Sequence, residues 1–243
     1  MAMVFRRKQK KVREDHHSIS IDGREIPLIV RRHPHARRII LRVNTAGEGA
    51  VVTIPAHADP ADGLEMAHRQ SAWLQSRLDD LGERIRFAAG TSIPYLGENY
   101  TIRHRSGMRG TVWIENGEIH VAGRPEHLSR RLGDWMRKRA RAEITERAHQ
   151  KAGMIERKPT RITIRDTRTR WGSCSAKGCL SFSWRLVMAP LEVLDYVIAH
   201  EVAHLAHMNH GAKFWETVDM LTGDTKSGRA WLNDNGGTLH RIG

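Results

Sequence analysis

The run His200-Glu201-Val202-Ala203-His204, H-E-x-x-H, constrains this chain more than any other segment. Residues four apart on an α-helix lie about one turn apart on one face, so His200 and His204 can converge on a single divalent cation. Glu201 follows the first histidine, where a carboxylate can take the proton of a water held on that cation. The surrounding stretch, Leu191 to Met208, reads as a helix opened by Pro190. On its wheel Val193, Tyr196 and Val197 share the histidine face, while Leu191, Leu194, Ile198, Val202 and Leu205 lie opposite. A helix apolar nearly all round is buried. Imidazoles and a carboxylate on such a helix need partners, because unpaired polar groups are costly there. One zinc ion satisfies both imidazoles, and other divalent transition metals (Ni²⁺, Co²⁺, Mn²⁺) suit the same donors. The pattern implies metal-assisted hydrolysis.

His207 and His210 compete for the place of third ligand. His207 points almost along the His200/His204 face, yet it lies five residues beyond the level of the metal, roughly 7 Å along the axis at ~1.5 Å per residue. His210 stands between Asn209 and Gly211, both tolerant of turns. A helix that ends at Met208 or Asn209 lets the chain fold back and offer His210 to the open side of the metal. His210 is the expected third ligand, with Glu216 or Asp219 as lesser alternatives. Three protein ligands leave a position for water, as in catalytic sites, whereas a fourth would make the site structural. The histidine spacing is also that of the metzincin proteases, but their glycine three residues after the second histidine is replaced by His207 here.

Charge adds a second constraint. The chain carries a formal +13, which favours polyanionic partners such as nucleic acid, nucleotides or anionic membrane. Part of the excess lies in Arg6-Arg7-Lys8-Gln9-Lys10-Lys11, and more on an expected helix as Arg130, Arg131, Arg137, Lys138, Arg139 and Arg141. A solvated tail and a wet helix face give the same arithmetic. Two cysteines, Cys174 and Cys179, are too few for a disulfide framework, so a cytoplasmic chain is expected. Met1 to Asp15 lacks a sustained apolar stretch, and Glu192, Asp195 and Glu201 interrupt the longest apolar region, which argues against a secretory signal and a membrane span.

The order of elements predicts an α+β fold, with small mixed or antiparallel sheets packed with helices. Residues 1–16 read as a basic disordered arm, 17–124 as a β-rich part with one helix, and 125–243 as the metallohydrolase core, with 17–243 as one compact domain the alternative. Strands are expected at Ser18–Ile21, Ile26–Val30, Arg38–Val43, Ala50–Ile54, Tyr100–Arg103, Val112–Glu115 and Glu118–Val121, with turns at Asp22-Gly23 and Asn116-Gly117. One helix is expected over Asp59–Arg86 with Asp59 as N-cap, and a long basic helix over Pro125–Met154. Arg161–Arg165 and Leu180–Leu186 alternate and read as a hairpin turning at Lys177-Gly178. Short helices are expected at Ala212–Leu221 and Ser227–Leu232. No internal repeat is visible.

Three segments together resemble one family. Arg170-Trp171-Gly172-Ser173-Cys174-Ser175, then Leu180-Ser181-Phe182-Ser183-Trp184-Arg185-Leu186, then the run from His200 to Trp215 are similar to the YgjP-like family of metal-dependent hydrolases. That family in turn resembles the SprT-like and WLM-type proteases in its H-E-x-x-H helix and in a later His-Gly-x-x-Phe pattern, here His210 to Phe214. The resemblance implies a compact zinc-peptidase core, with His200, His204 and His210 as zinc ligands and Glu201 as catalytic acid/base. Ser183 departs from the asparagine that relatives often carry before the Trp-Arg pair. The family name leaves the substrate open, since both peptidase and nucleoside triphosphate pyrophosphatase activities are ascribed to members.

Trp171, Gly172, Ser173 and Arg185 are the candidate substrate-binding residues. An edge strand beside a metal aligns an extended peptide through its backbone, Gly172 permits close approach, and a guanidinium such as Arg168, Arg170 or Arg185 can hold a phosphate or carboxylate. Trp171 and Trp184 also read as core aromatics, and the cysteines as small buried hydrophobes. Tyr196 is a minor candidate for oxyanion help. The expectation is a zinc metallopeptidase in which Glu201 activates a zinc-bound water on a peptide or protein substrate. The alternatives are a nucleotide pyrophosphatase at the same centre and a basic DNA-associated protein with a structural zinc site. The sequence sets no oligomeric state.

Overall fold

The computed structural model describes residues 12–44, 49–81, 84–108, 110–167 and 170–243. The chain forms two compact units, Met1–Glu83 and Arg84–Gly243. The division therefore falls at residue 83, not ahead of Pro125, because the second group of strands closes its core with the C-terminal helices. Most of the expected basic arm lies outside the described residues, and its end is already strand. The fold class is α+β, as the element order predicts.

The first unit holds β1 (Arg13–Ile21), β2 (Arg24–His33), β3 (Ile40–Val43) and β4 (Ala50–Pro55) in the order β1-β2-β4-β3. Asp22 and Gly23, both at positive φ, turn β1 into β2, as the right-handed twist of a two-residue hairpin requires. The expected single helix is two, α1 (Pro60–Arg69) and α2 (Ser71–Leu81). Asp59 caps the first in a capping box with Asp62. The break at Gln70 has no proline or glycine to announce it. It lets α1 pack on the central strands β2 and β4 while α2 reaches the outer strands β1 and β3.

The second unit starts with β5 (Ser92–Tyr95), β6 (Glu98–Arg105), β7 (Val112–Glu115) and β8 (Glu118–Ala122), ordered β5-β6-β8-β7. Strand β5 is too short and too proline-marked to be read as a strand from sequence. Each four-stranded sheet joins two antiparallel hairpins through one parallel pair, β2/β4 and β6/β8, and is followed by helix. The same topology thus occurs twice in a chain whose sequence shows no repeat. Pro125–His127 form a 3₁₀ turn ahead of α3 (Leu128–Met154), whose Leu132, Met136, Ala140, Ile144 and Ala148 are fully buried at helical spacing.

A small sheet follows: β9 (Arg161–Arg165), β10 (Gly172–Cys174) and β11 (Cys179–Ser183), in the order β10-β11-β9. The expected hairpin Arg161–Leu186 needs correction. Strand β9 runs parallel to β11, and the antiparallel partner across Lys177-Gly178 is the three-residue β10. A strand so short carries no readable alternation. Residues Trp184–Met188 are a 3₁₀ turn rather than more strand, and α4 (Leu191–Ala203), α5 (Ala212–Thr222) and α6 (Thr225–His240) complete the unit. Among the described residues, no helix is long and apolar enough to cross a membrane.

Candidate metal centre

Helix α4 is buried along almost its whole length, with Val193, Leu194, Val197, Ile198 and Val202 at most 4% exposed. It carries His200 and Glu201 and stops at Ala203, five residues before the expected end, so that His204 is its C-cap. The stop has a hydrogen-bonding cause. The amides of Leu205 and Ala206 bond to the carbonyls three residues back, Val202 at 2.9 Å and Ala203 at 3.0 Å, which tightens the last turn. His204 Nδ1 then meets the carbonyl oxygen of His207 at 3.0 Å. An imidazole that donates from Nδ1 presents the Nε2 lone pair, the arrangement of a metal-ligating histidine with its outer partner. His207 thus serves through its backbone, and the chain is free to return.

The return brings in His210 just before Gly211, the N-cap of α5. One nitrogen from each of His200, His204 and His210 lies within 4.8 Å of the other two. The Nε2 atoms of His200 and His210 are 3.2 Å apart, close to the ~3.3 Å separation of two nitrogens held at ~2.0–2.1 Å in a tetrahedral shell. The ring centroids of the three lie 4.8–5.1 Å from one another. Phe214, fully buried, forms the floor, its ring 4.6 Å from those of His204 and His210. Burial, then the neighbouring imidazoles, push His200 down to about 4, and burial also lowers His204. Both rings are neutral at physiological pH, the form that can ligate. Neither Glu216 nor Asp219 joins the group.

Glu201 is 7% exposed. Burial lifts its carboxyl to about 7, against the opposing pull of Arg170. Its neighbour is the edge strand β10: a Cβ on Gly172 would stand 2.5 Å from Glu201 Cγ and 2.6 Å from Oε1. Any side chain at that position would force the Glu201 carboxyl to shift, which gives Gly172 its place in the Trp-Gly-Ser-Cys run. Burial and the nearby Glu201 raise the Cys174 thiol to about 11, so it stays protonated and is no nucleophile.

The remaining candidates divide. Ser173 is on β10 opposite Ser181. Trp171 stacks on His240 of α6 at 4.5 Å, and its carbonyl accepts from the Ser183 amide, so it braces the strand. Arg185 is drawn away from any ligand: it is 6% exposed, ion-paired with Asp166, bonded to the Ile242 carbonyl and stacked on Trp184. Arg168 lies outside the described residues. Tyr196 sits with its ring 6.1 Å from that of His200, under Gly228 of α6, where a Cβ would stand 2.6 Å from Tyr196 Cβ. Gly228 and the floor residue Phe214 carry no pattern that marks them as site residues in the sequence, apart from the spacing of Phe214 after His210-Gly211.

The family description "YgjP-like, metallopeptidase domain" matches residues 37–235. The chain belongs to the YgjP-like family. No curated protein matches it. Among solved structures it is similar to the crystal structure of the metallopeptidase zymogen of Pyrococcus abyssi abylysin, at 16% identity over 38% of this chain and 92% of that one, with a TM-score of 0.34. Membership makes this YgjP-like chain a metallopeptidase-domain protein, a class that works with a divalent metal.

Proposed function

We propose that this YgjP-like protein is a zinc metallopeptidase whose metal is held by His200, His204 and His210 and whose general base is Glu201. The reading rests on one convergence: three imidazole nitrogens within 4.8 Å, two of the rings kept neutral by burial, beside a buried carboxyl that an edge strand touches. The donor set fits zinc. A bound zinc ion supplies Lewis acidity and lowers the pKa of water at this place.

Every other part falls to the chain. His204 is oriented by the His207 carbonyl. Glu201, held near neutrality by burial, takes a proton from the attacking water and returns it to the leaving amine nitrogen. Strand β10 is the free edge of its sheet and offers backbone groups to an extended peptide. Gly172 keeps that edge against Glu201 without a side chain between them. Among the described residues no fourth His, Cys, Asp or Glu completes the cluster, which supports a catalytic over a structural centre. The nucleotide alternative loses the guanidinium of Arg185, already paired with Asp166.

Zinc-loaded wild type is expected to cleave casein or a quenched fluorescent peptide library. Glu201→Gln is expected to bind one equivalent of zinc and to be inactive. Normal turnover by that variant, or release of pyrophosphate from nucleoside triphosphates with no peptide cleavage, would overturn the reading.

A further inference from the structure

Helix α3 buries one stripe and turns the opposite face outward, and β9 runs beside that face as the sheet edge remote from β10. Two cavities of about 700 and 280 Å³ lie between α3 and β9 and share Arg141. Together they form one groove. Its cations are Arg137, Lys138, Arg141, Lys158, Arg161 and Arg165. Its carboxylates are Glu146, which accepts from Gln150, and Asp166, which is paired with Arg185. Arg137 has Asp134 at 3.4 Å. Among the described residues the other five cations have no ion-pair partner. All five are exposed. A row of like charges is unfavourable on its own and is relieved by an anion of matching spacing.

From the groove we infer a second binding site on this protein: a cleft for the phosphodiester backbone of duplex nucleic acid, independent of the reaction at the metal centre. From Arg137 to His149 the helix wall runs roughly 18 Å at ~1.5 Å per residue, the axial rise of about five phosphates on one strand. Trp184, the tryptophan of the lining, is 2% exposed, with the Arg137 guanidinium 5.3 Å from its ring centre. The exposed ring of the lining is the single imidazole of His149, so successive bases find no row of stacking platforms, which favours a duplex over a single strand and backbone contact over sequence reading. Beside the cations, the exposed side chains of the lining are Ala142, Glu146, His149, Thr160 and Asp166, small or polar groups without the large apolar or aromatic anchor that gives an acidic polypeptide its affinity. The order β10-β11-β9 puts this groove at the opposite sheet edge from Gly172 and Glu201, so both can be occupied together.

The test is fluorescence polarisation of the full-length, zinc-loaded protein with a labelled mixed-sequence DNA duplex of about 20 base pairs, between ~50 and ~200 mM salt. Lys138→Gln/Arg141→Gln/Arg161→Gln is expected to weaken binding at least about tenfold and to lower the salt slope by about three, with unchanged melting temperature and zinc content. Arg37→Gln/Arg38→Gln/Arg42→Gln, which removes the same charge elsewhere, is expected to cost less than about threefold. The proposal fails if the groove variant binds like wild type or if the control loses as much. It also fails if replacing the five cations of residues 6–11 by glutamine abolishes binding by itself. Displacement of the duplex by poly-glutamate at lower concentration than by unlabelled duplex would reassign the groove to acidic protein.

Discussion

The two edges of one three-stranded sheet have opposite characters. Along β10 the chain brings together groups from distant parts of the sequence, Gly172 against Glu201 with His200, His204 and His210 beside it, and burial there shifts the charge states of Glu201 and His200. Along β9 it leaves cations exposed and, among the described residues, without an ion-pair partner beside α3. The β10 edge therefore depends on placement to within about half an ångström. The β9 edge depends on charge density, which tolerates ångströms. Chemistry on a single bond suits the first, and adhesion to a uniform polyanion the second.

The largest effect is expected at the β10 edge. Glu201→Gln should reduce kcat/KM for peptide by about 10³-fold or more while duplex affinity stays at the wild-type value. Parallel loss of both would erase the distinction between the edges. Close behind stands ligand removal: His210→Ala should lose stoichiometric zinc, measured by plasma mass spectrometry of dialysed protein, whereas His207→Ala, which keeps its carbonyl, should retain it. Equal zinc loss in the two would return the third position to His207.

Gly172→Ala sharpens the steric claim. Its Cβ would overlap the Glu201 carboxyl, so activity should fall by about 10²-fold at full zinc occupancy, with Ser173→Ala far milder. A Gly172→Ala enzyme as active as wild type would mean that Glu201 has room to shift.

Next comes pH in the metal-free protein. The Glu201 carboxyl titrates near 7 in the folded state against an ordinary value of 4.5. As pH rises through that window the unfolded chain gives up the proton first, so folded stability falls, and the penalty is complete above pH 7. Its ceiling is about 3 kcal/mol at ~1.4 kcal/mol per unit. Glu201→Gln should therefore melt several degrees higher than metal-free wild type at pH 8 and no higher at pH 4. His200 works in the other direction: its folded value near 4 lies below the ordinary 6.5, so stability contributed by its neutral form is lost as pH falls from 6.5 towards 4. The smallest effect is expected for Arg185→Gln, which breaks the pair with Asp166: about 1–3 kcal/mol of stability by urea denaturation, with kcat per folded molecule unchanged.

Much of the site is legible in the sequence because helical periodicity is local. The four-residue step from His200 to His204 fixes a shared face before any tertiary contact exists, and the turn-tolerant residues around His210 announce a reversal. The extent of that helix is not legible, since Ala203 to Met208 contains no breaker. Its end is set by the His207 carbonyl reaching His204 and by α5 returning beneath the histidines through Phe214. Arg185 shows the limit from the other side. Its place next to a family motif suggests a ligand, yet its partners Asp166 and Ile242 are 19 and 57 residues away, beyond what any local pattern encodes. The strands β6, β7 and β8 are readable from alternation and an Asn-Gly turn, whereas β5 and β10, four and three residues long, are not.

By itself, then, the sequence determined the α+β class, the helix that carries the candidate metal ligands and the proposed acid/base residue, and the excess of positive charge, because each follows from composition or from spacing within a few turns of chain. The tertiary structure decided which histidine clusters with His200 and His204, which glycine lies against the carboxylate, which arginine is already paired, and on which sheet edge the charge collects. Those outcomes rest on contacts between residues far apart in the chain, where packing and desolvation, rather than local periodicity, set the geometry.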